Sequence, residues 1–180
     1  MILVYTGSGK GKTSAALGNV FRALGHGWRV LVLQFMKGDW PIVFGELKSA
    51  KRHARLEIRQ LGRGFVKIMG DKKPLDEHRK AASQALKAAK QKIFSGNYDL
   101  VVLDEVLVAL ETRGVQLIPM KELSTIIKKK PKKTHLILTG RIADARTKEK
   151  IVALADLVTE MKEIKHPYQQ GIPAQEGIDY

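Results

Sequence analysis

The residues of this chain best suited to chemistry are Thr6-Gly-Ser-Gly-Lys-Gly-Lys-Thr-Ser14. Glycines in such a run let successive backbone N–H groups face one concavity, an anion nest. A helix starting near Lys12 would aim its positive end at the same place. Lys12 adds a mobile charge, and the Thr13 hydroxyl is placed to ligate Mg²⁺. The run follows an apolar segment and precedes an amphipathic one, which is the context a phosphate-binding P-loop requires. The usual pattern has glycine five residues before Gly11; here that place is Thr6, and Gly7 and Gly9 supply the freedom instead. We read Gly7, Ser8, Gly9, Lys10, Gly11, Lys12, Thr13 and Ser14 as nucleotide-binding and Lys12 as catalytic. The plainer reading is a glycine-rich turn with incidental lysines.

A second signal is Leu100-Val-Val-Leu-Asp104-Glu105, an apolar strand ending in two carboxylates. Such a strand can deliver Asp104 and Glu105 beside the phosphate loop as Mg²⁺ ligands, directly or through water. A lesser alternative is that Asp104 caps a following helix, and it could do both. Glu105 is a second catalytic candidate, because it could orient a water. A nucleoside triphosphate and magnesium follow from these motifs, but hydrolysis does not. The same cradle serves a hydrolase, a kinase, or an enzyme for which triphosphate is the leaving group.

Further candidates sit where strand ends would converge, the usual ligand crevice of an open α/β sheet. Gln34-Phe-Met-Lys-Gly38 brings Lys37 there, and Leu138-Thr-Gly-Arg141 brings Arg141 toward phosphate or ribose. Gly62-Arg-Gly-Phe65 either places an exposed aromatic, Phe65, over a flat ligand or uses it as a buried loop anchor, two readings of equal weight. The histidines at 26, 53, 78, 135 and 166 have no metal-ligand spacing. Five of the six residues Lys128–Lys133 are lysine, a pattern usual for a solvated helix end.

The elements that must hold these residues alternate along the chain. Met1–Tyr5, Arg29–Phe35, Leu56–Leu61, Leu100–Leu103, His135–Leu138 and Leu157–Val158 with its flanks read as strands. Several are apolar at consecutive positions, as suits strands covered on both faces. Leu17, Val20, Phe21 and Leu24 line one face of a helix that Gly25 can close. Ala82, Leu86, Ala89 and Ile93 line a second, with Asp76 as cap and Gly96 as end. Pro119 opens a third carrying Leu123, Ile126 and Ile127, and Pro131 stops it. Residues 146–155 read as a fourth with Ile151, Val152, Leu154 and Ala155 inward, and residues 41–53 as a weaker helix. This alternation predicts an α/β fold, about six mostly parallel strands with helices on both faces.

Length and composition set the bounds. The chain has 180 residues, one domain's worth, and no cysteine, so thiolate metal sites and disulfides are excluded. Its formal net charge of +14 suggests an anionic partner. No segment reads as a secretion signal or a membrane span, and the chain reads as cytoplasmic. A nucleic-acid-binding ATPase is disfavoured, because no basic stripe is interleaved with aromatics.

Taken in order, the phosphate loop, Gln34–Gly38, Gly62–Phe65, Leu103-Asp-Glu105, Leu138–Arg141, Ala155–Met161 and the ending Gly171-Ile-Pro-Ala-Gln-Glu-Gly-Ile-Asp-Tyr180 resemble the P-loop type of cob(I)alamin (corrinoid) adenosyltransferase from end to end. The ending with Leu-Thr-Gly-Arg is the most specific part. The resemblance implies a three-layer P-loop NTPase fold of the RecA-like branch, forming one nucleotide-binding domain over residues 1–180. By composition residues 166–180 read as a loose tail; the resemblance implies that they are ordered and belong to the nucleotide site. It implies transfer of the 5′-deoxyadenosyl group of ATP to the Co(I) of cob(I)alamin or another corrinoid, with release of triphosphate. It further implies Mg²⁺, a homodimer, a reduced flavoprotein as electron donor, and ATP laid across the loop in the reversed sense. Thr6 is normal for that family. Lys67 stands where the family commonly has Trp, so on the corrinoid side only Phe65 carries over. The competing reading from the motifs alone is a P-loop NTPase or small-molecule kinase.

Overall fold

Six short runs rich in Val, Ile and Leu become six parallel strands, because each finds apolar cover on both faces or a strand beside it. The computed structural model describes residues 1–39, 42–68 and 70–180. In chain order the elements are β1 (Ile2–Thr6), α1 (Lys12–Gly25), β2 (Val30–Gln34), α2 (Gly45–Ala50), β3 (Leu56–Gln60), α3 (Leu75–Phe94), β4 (Leu100–Asp104), α4 (Val106–Leu110), α5 (Met120–Lys129), β5 (His135–Thr139), α6 (Ala145–Val152) and β6 (Leu157–Glu160). A 3₁₀ turn follows at Pro167–Gln170. The sheet order is β3-β2-β4-β5-β1-β6, and every pairing is parallel. All strand C-termini therefore open at one end.

Residue alternation along the strands splits the core into two layers. Leu31, Leu33, Val101, Leu103, Leu136 and Leu138 face one side and pack with Ala82, Leu86, Ala89 and Ile93 of α3, with α4, and with Leu123, Ile126 and Ile127 of α5. Val30, Val32, Leu100, Val102 and Ile137 face the other and pack with Ala16, Val20 and Ala23 of α1. Helix, sheet and helix make three layers, as the alternation of apolar and amphipathic segments predicts.

Four local expectations need correction. The buried stripe of α1 is Lys12, Ala16, Val20 and Ala23; Phe21 is 79% exposed. Small alanines let α1 lie close on the sheet, which turns the bulkier residues toward its flanks. Asp76 is not the cap of α3: the N-cap is Pro74, and Asp76 lies in the first turn, where its charge complements the helix dipole. The fourth helix runs 145–152, not 146–155, with Ile151 alone fully inward and Val152 exposed. Leu154 and Ala155 follow it and pack partly buried against the core. Of the weaker helix over 41–53 the structure forms α2, while position 41 lies outside the described residues. The helix α4, five residues long and entirely buried, has no periodic signal by which it could be read. The lysine run ends α5 and precedes β5, so it lies at the opposite end of the sheet from the strand C-termini.

Leu103, at 0% exposure in β4, stands in register between Leu33 and Leu138 of the neighbouring strands and shares their core layer with α4. Leu103→Ala should cost about 2–5 kcal/mol in urea unfolding, and Phe21→Ala less than about 0.5 kcal/mol.

Candidate active site

At the open end, β1 stops at Thr6 and the chain turns through Gly7 at φ 103° into the loop that feeds α1. The loop is pinned by the continuation of β6. Met161 N–H donates to Thr6 O at 2.8 Å, and Met161 O accepts from Gly9 N–H at 2.8 Å. A Cβ on Gly7 would collide with the Met161 backbone, 2.7 Å from its nitrogen, and one on Gly9 would come within 2.9 Å of Lys162. Gly7 is required by close packing as well as by backbone angle, and Gly9 by close packing alone. Gly11, also left-handed at φ 105°, is the N-cap of α1.

Lys12 is the first residue of that helix and is nearly buried. Its ammonium folds back to donate to Gly7 O at 3.0 Å and Gly9 O at 2.7 Å. Burial lowers its pKa, an effect that the charge of Glu105 opposes. A cation already half stripped of water and hydrogen-bonded to carbonyls gives up little when a phosphate takes their place.

Asp104 ends β4 and is fully buried. Its Oδ1 accepts from the hydroxyls of Thr13 at 2.8 Å and Thr139 at 2.7 Å. Its Oδ2 has no hydrogen-bond partner. A buried carboxylate oxygen left so is costly unless a cation arrives. Thr13 and Asp104 together are hard oxygen donors of the kind Mg²⁺ takes along with phosphate oxygens. Among the described residues no cluster of three or more His, Cys, Asp or Glu is gathered to hold a metal. A cation here would complete its shell from a bound anion and water.

Glu105 follows in the left-handed region, φ 58°, with its N–H donating to Thr139 Oγ1 at 2.9 Å. Burial, and then the neighbouring Asp104 charge, push its pKa up from 4.5 to about 7, against the pull of Lys12, Lys37 and Arg141. Lys37 lies 3.3 Å from Glu46 Oε1 and 3.8 Å from Asp104 Oδ2, with its ammonium 4.0 Å above the Phe44 ring. Gln34 Nε2 donates to the same Glu46 oxygen at 2.8 Å.

Around these groups opens a cleft of about 1210 Å³. It is larger than a single drug-sized ligand needs. Gly9, Lys10, Gly11, Lys12, Thr13, Ser14, Lys37, Phe65, Glu105 and Arg141 all line it. Asp104 lies beneath them, while Gly7 and Ser8 form the outer turn of the loop. Phe65 is half-buried rather than exposed, because Val66 and the core anchor it from behind. Arg141 is exposed on the loop after β5. From the tail, Gly177–Tyr180 form one wall, and Asp179 pairs with Lys10. Sequence reasoning named the segment 166–180 but not Asp179 itself, and passed over Thr139, Glu46 and Met161 as contributors. Thr139, Met161 and Asp179 lay inside motifs already quoted; Glu46 carried no signal at all.

Two outcomes follow from this geometry. Gly7→Ala should push the loop off Met161 and cost at least about 1 kcal/mol in urea unfolding. Glu105 in the fold prefers its neutral form, so its stabilising contribution is complete below about pH 4.5 and is lost as pH rises through about 7. Glu105→Gln should therefore match the parent near pH 4.5 and exceed it above pH 7, by on the order of 3 kcal/mol in unfolding free energy.

The family described as ATP:corrinoid adenosyltransferase BtuR/CobO/CobP matches residues 1–180. A corrinoid adenosyltransferase of Escherichia coli (strain K12) is 34% identical over 180 residues, covering 100% of this chain and 85% of that protein. One from Sinorhizobium sp is 37% identical, covering 100% and 80%. The corrinoid adenosyltransferase CobA of Salmonella typhimurium is 35% identical, covering 100% and 85%.

Proposed function

The chain belongs to the ATP:corrinoid adenosyltransferase family, and from that membership we propose how its own residues carry the reaction. It is a transferase: the 5′-deoxyadenosyl group of ATP passes to the Co(I) of a corrinoid, and triphosphate leaves. The cobalt electron pair forms the Co–C5′ bond as the C5′–O bond breaks, and the electrons of that bond depart with triphosphate. The substrate brings its own nucleophile, so the protein needs no serine, cysteine or histidine for that role. Its task is to make a polyanion a tolerable leaving group and to hold C5′ in line with the metal.

The observation that carries this reading is the placement of Lys12 and the Thr13–Asp104 pair on one wall of a cleft large enough for two substrates. Backbone N–H groups of Lys10–Ser14 and the α1 N-terminus grip the polyphosphate. Lys12, Lys37 and Arg141 neutralise charge as it develops on the departing oxygens. Mg²⁺, held by Thr13 and Asp104 with Glu105 nearby, would supply further positive charge to the phosphates. Burial holds the Glu105 carboxyl up at about 7, so near neutral pH it carries only part of a negative charge beside the leaving group. Fixing the two reactants in line is worth about 7–11 kcal/mol in a well-oriented pair.

Phe65, with Ile68 and Val108 also on the cleft wall, offers an apolar side for the corrinoid, which keeps water from Co(I). Residues 166–180 close the nucleotide side through Asp179 on Lys10, so residues 1–180 act as one nucleotide-binding unit. The cleft remains open along Phe21, which a second copy in a homodimer would cover. Co(I) requires a one-electron donor, and the +14 charge favours an acidic one such as a reduced flavoprotein. Among the described residues no helix is long and apolar enough to cross a membrane; we place the reaction in the cytoplasm.

Incubation with ATP, Mg²⁺ and chemically reduced cobalamin should give triphosphate and a light-sensitive cobalt–carbon product. Orthophosphate formed without corrinoid would instead mark an NTPase. Lys12→Ala should lower the transfer rate by at least about a hundredfold, with an unchanged far-UV spectrum; full activity in that variant would remove Lys12 from the mechanism.

A further inference from the structure

Lys37 and magnesium would contend for the same oxygen. The Lys37 ammonium stands 3.8 Å from Asp104 Oδ2, too far for a hydrogen bond, and that fully buried oxygen has no other partner. A lysine on a flexible four-carbon stem, facing an unsatisfied carboxylate oxygen, would ordinarily close the gap to about 2.8 Å. Here it does not, because Glu46 Oε1 draws it aside at 3.3 Å and the Phe44 ring backs it at 4.0 Å. Glu46 is itself fixed: the fully buried Gln34 donates to the same oxygen at 2.8 Å. The side chains of Lys37 and Glu46 are only 13% and 14% exposed, so water screens this arrangement weakly.

We propose that Glu46 is a positioning residue that holds the Lys37 ammonium off Asp104 and so leaves the buried Oδ2 open to magnesium. Gln34, the register partner of Asp104 on the neighbouring strand, orients Glu46 for that task. This rests on the reading of Thr13 and Asp104 as the magnesium site. When Glu46 is neutral, Lys37 swings onto Asp104 and becomes an internal competitor of the metal.

The test is the dependence of ATP binding on free Mg²⁺, followed by calorimetry without corrinoid. Glu46→Gln should raise the half-saturating Mg²⁺ about tenfold, the worth of one charge-assisted hydrogen bond. At saturating Mg²⁺ its affinity for ATP should return to within about twofold of the parent. Lys37→Gln/Glu46→Gln, in which the competitor is gone, should need less Mg²⁺ for half-saturation than Glu46→Gln does, although loss of Lys37 lowers ATP affinity at every Mg²⁺ concentration. Should Glu46→Gln fail to fold, Glu46→Asp keeps the test open, because its shorter carboxylate reaches Lys37 less well and its half-saturating Mg²⁺ should lie above the parental value. An unchanged Mg²⁺ dependence in folded Glu46→Gln or Glu46→Asp, or a double variant that needs as much Mg²⁺ as Glu46→Gln, overturns the proposal while leaving the magnesium site standing. A parent protein that binds ATP equally with and without Mg²⁺ overturns both.

Discussion

One incompletely satisfied carboxylate organises this molecule. Asp104 is wholly removed from water, and a charge so placed survives only with hydrogen bonds around it. It takes them from Thr13 at the start of α1 and Thr139 at the end of β5. Thr139 in turn holds the backbone N–H of Glu105. Three elements that do not follow one another in the chain are thus tied at a single atom, Oδ1. The other oxygen, with no hydrogen-bond partner, is what turns a structural knot into a place for chemistry.

The sheet order explains why that knot can exist. β5 lies between β1, which leads into the phosphate loop, and β4, which delivers the carboxylates. The intervening strand sets the spacing, and its Thr139 fills the gap that an extra strand opens. Parallel pairing brings every strand end to one rim, so Lys37 after β2, Phe65 after β3, Glu105 after β4 and Arg141 after β5 meet without any long excursion of the chain. A compact rim of this sort suits a reaction that needs two bulky substrates aligned and no protein nucleophile.

Much of this could be read in advance, for identifiable reasons. The strands were legible because doubly covered parallel strands are apolar at consecutive positions, as Leu100-Val-Val-Leu is. The loop between β1 and α1 was visible as a run of Gly, Ser and Lys, but what makes Gly7 and Gly9 obligatory is the distant backbone of Met161 and Lys162. The orientation of α1 was not legible: periodicity puts Phe21 inward, but alanines at 16 and 23 fit closer to the sheet, and packing distance decided the matter. Helix α4 escaped because five uninterrupted apolar residues after a strand have no period. Glu46 escaped because its role comes from Gln34 and Lys37, side chains brought to it by tertiary structure. The tail reads as disorder by composition; what orders Asp179 is Lys10, some 170 residues away.

The pinning of the phosphate loop by Met161 has a consequence for how the protein comes into being. The loop is made on the ribosome some 150 residues before the backbone that fixes Thr6 and Gly9. Its strand β1 likewise waits for β5 and β6 as neighbours. Synthesis delivers these partners only after several seconds, and contacts so distant in the chain form late. The nascent protein therefore carries its glycine-rich loop without that support until Met161 has emerged.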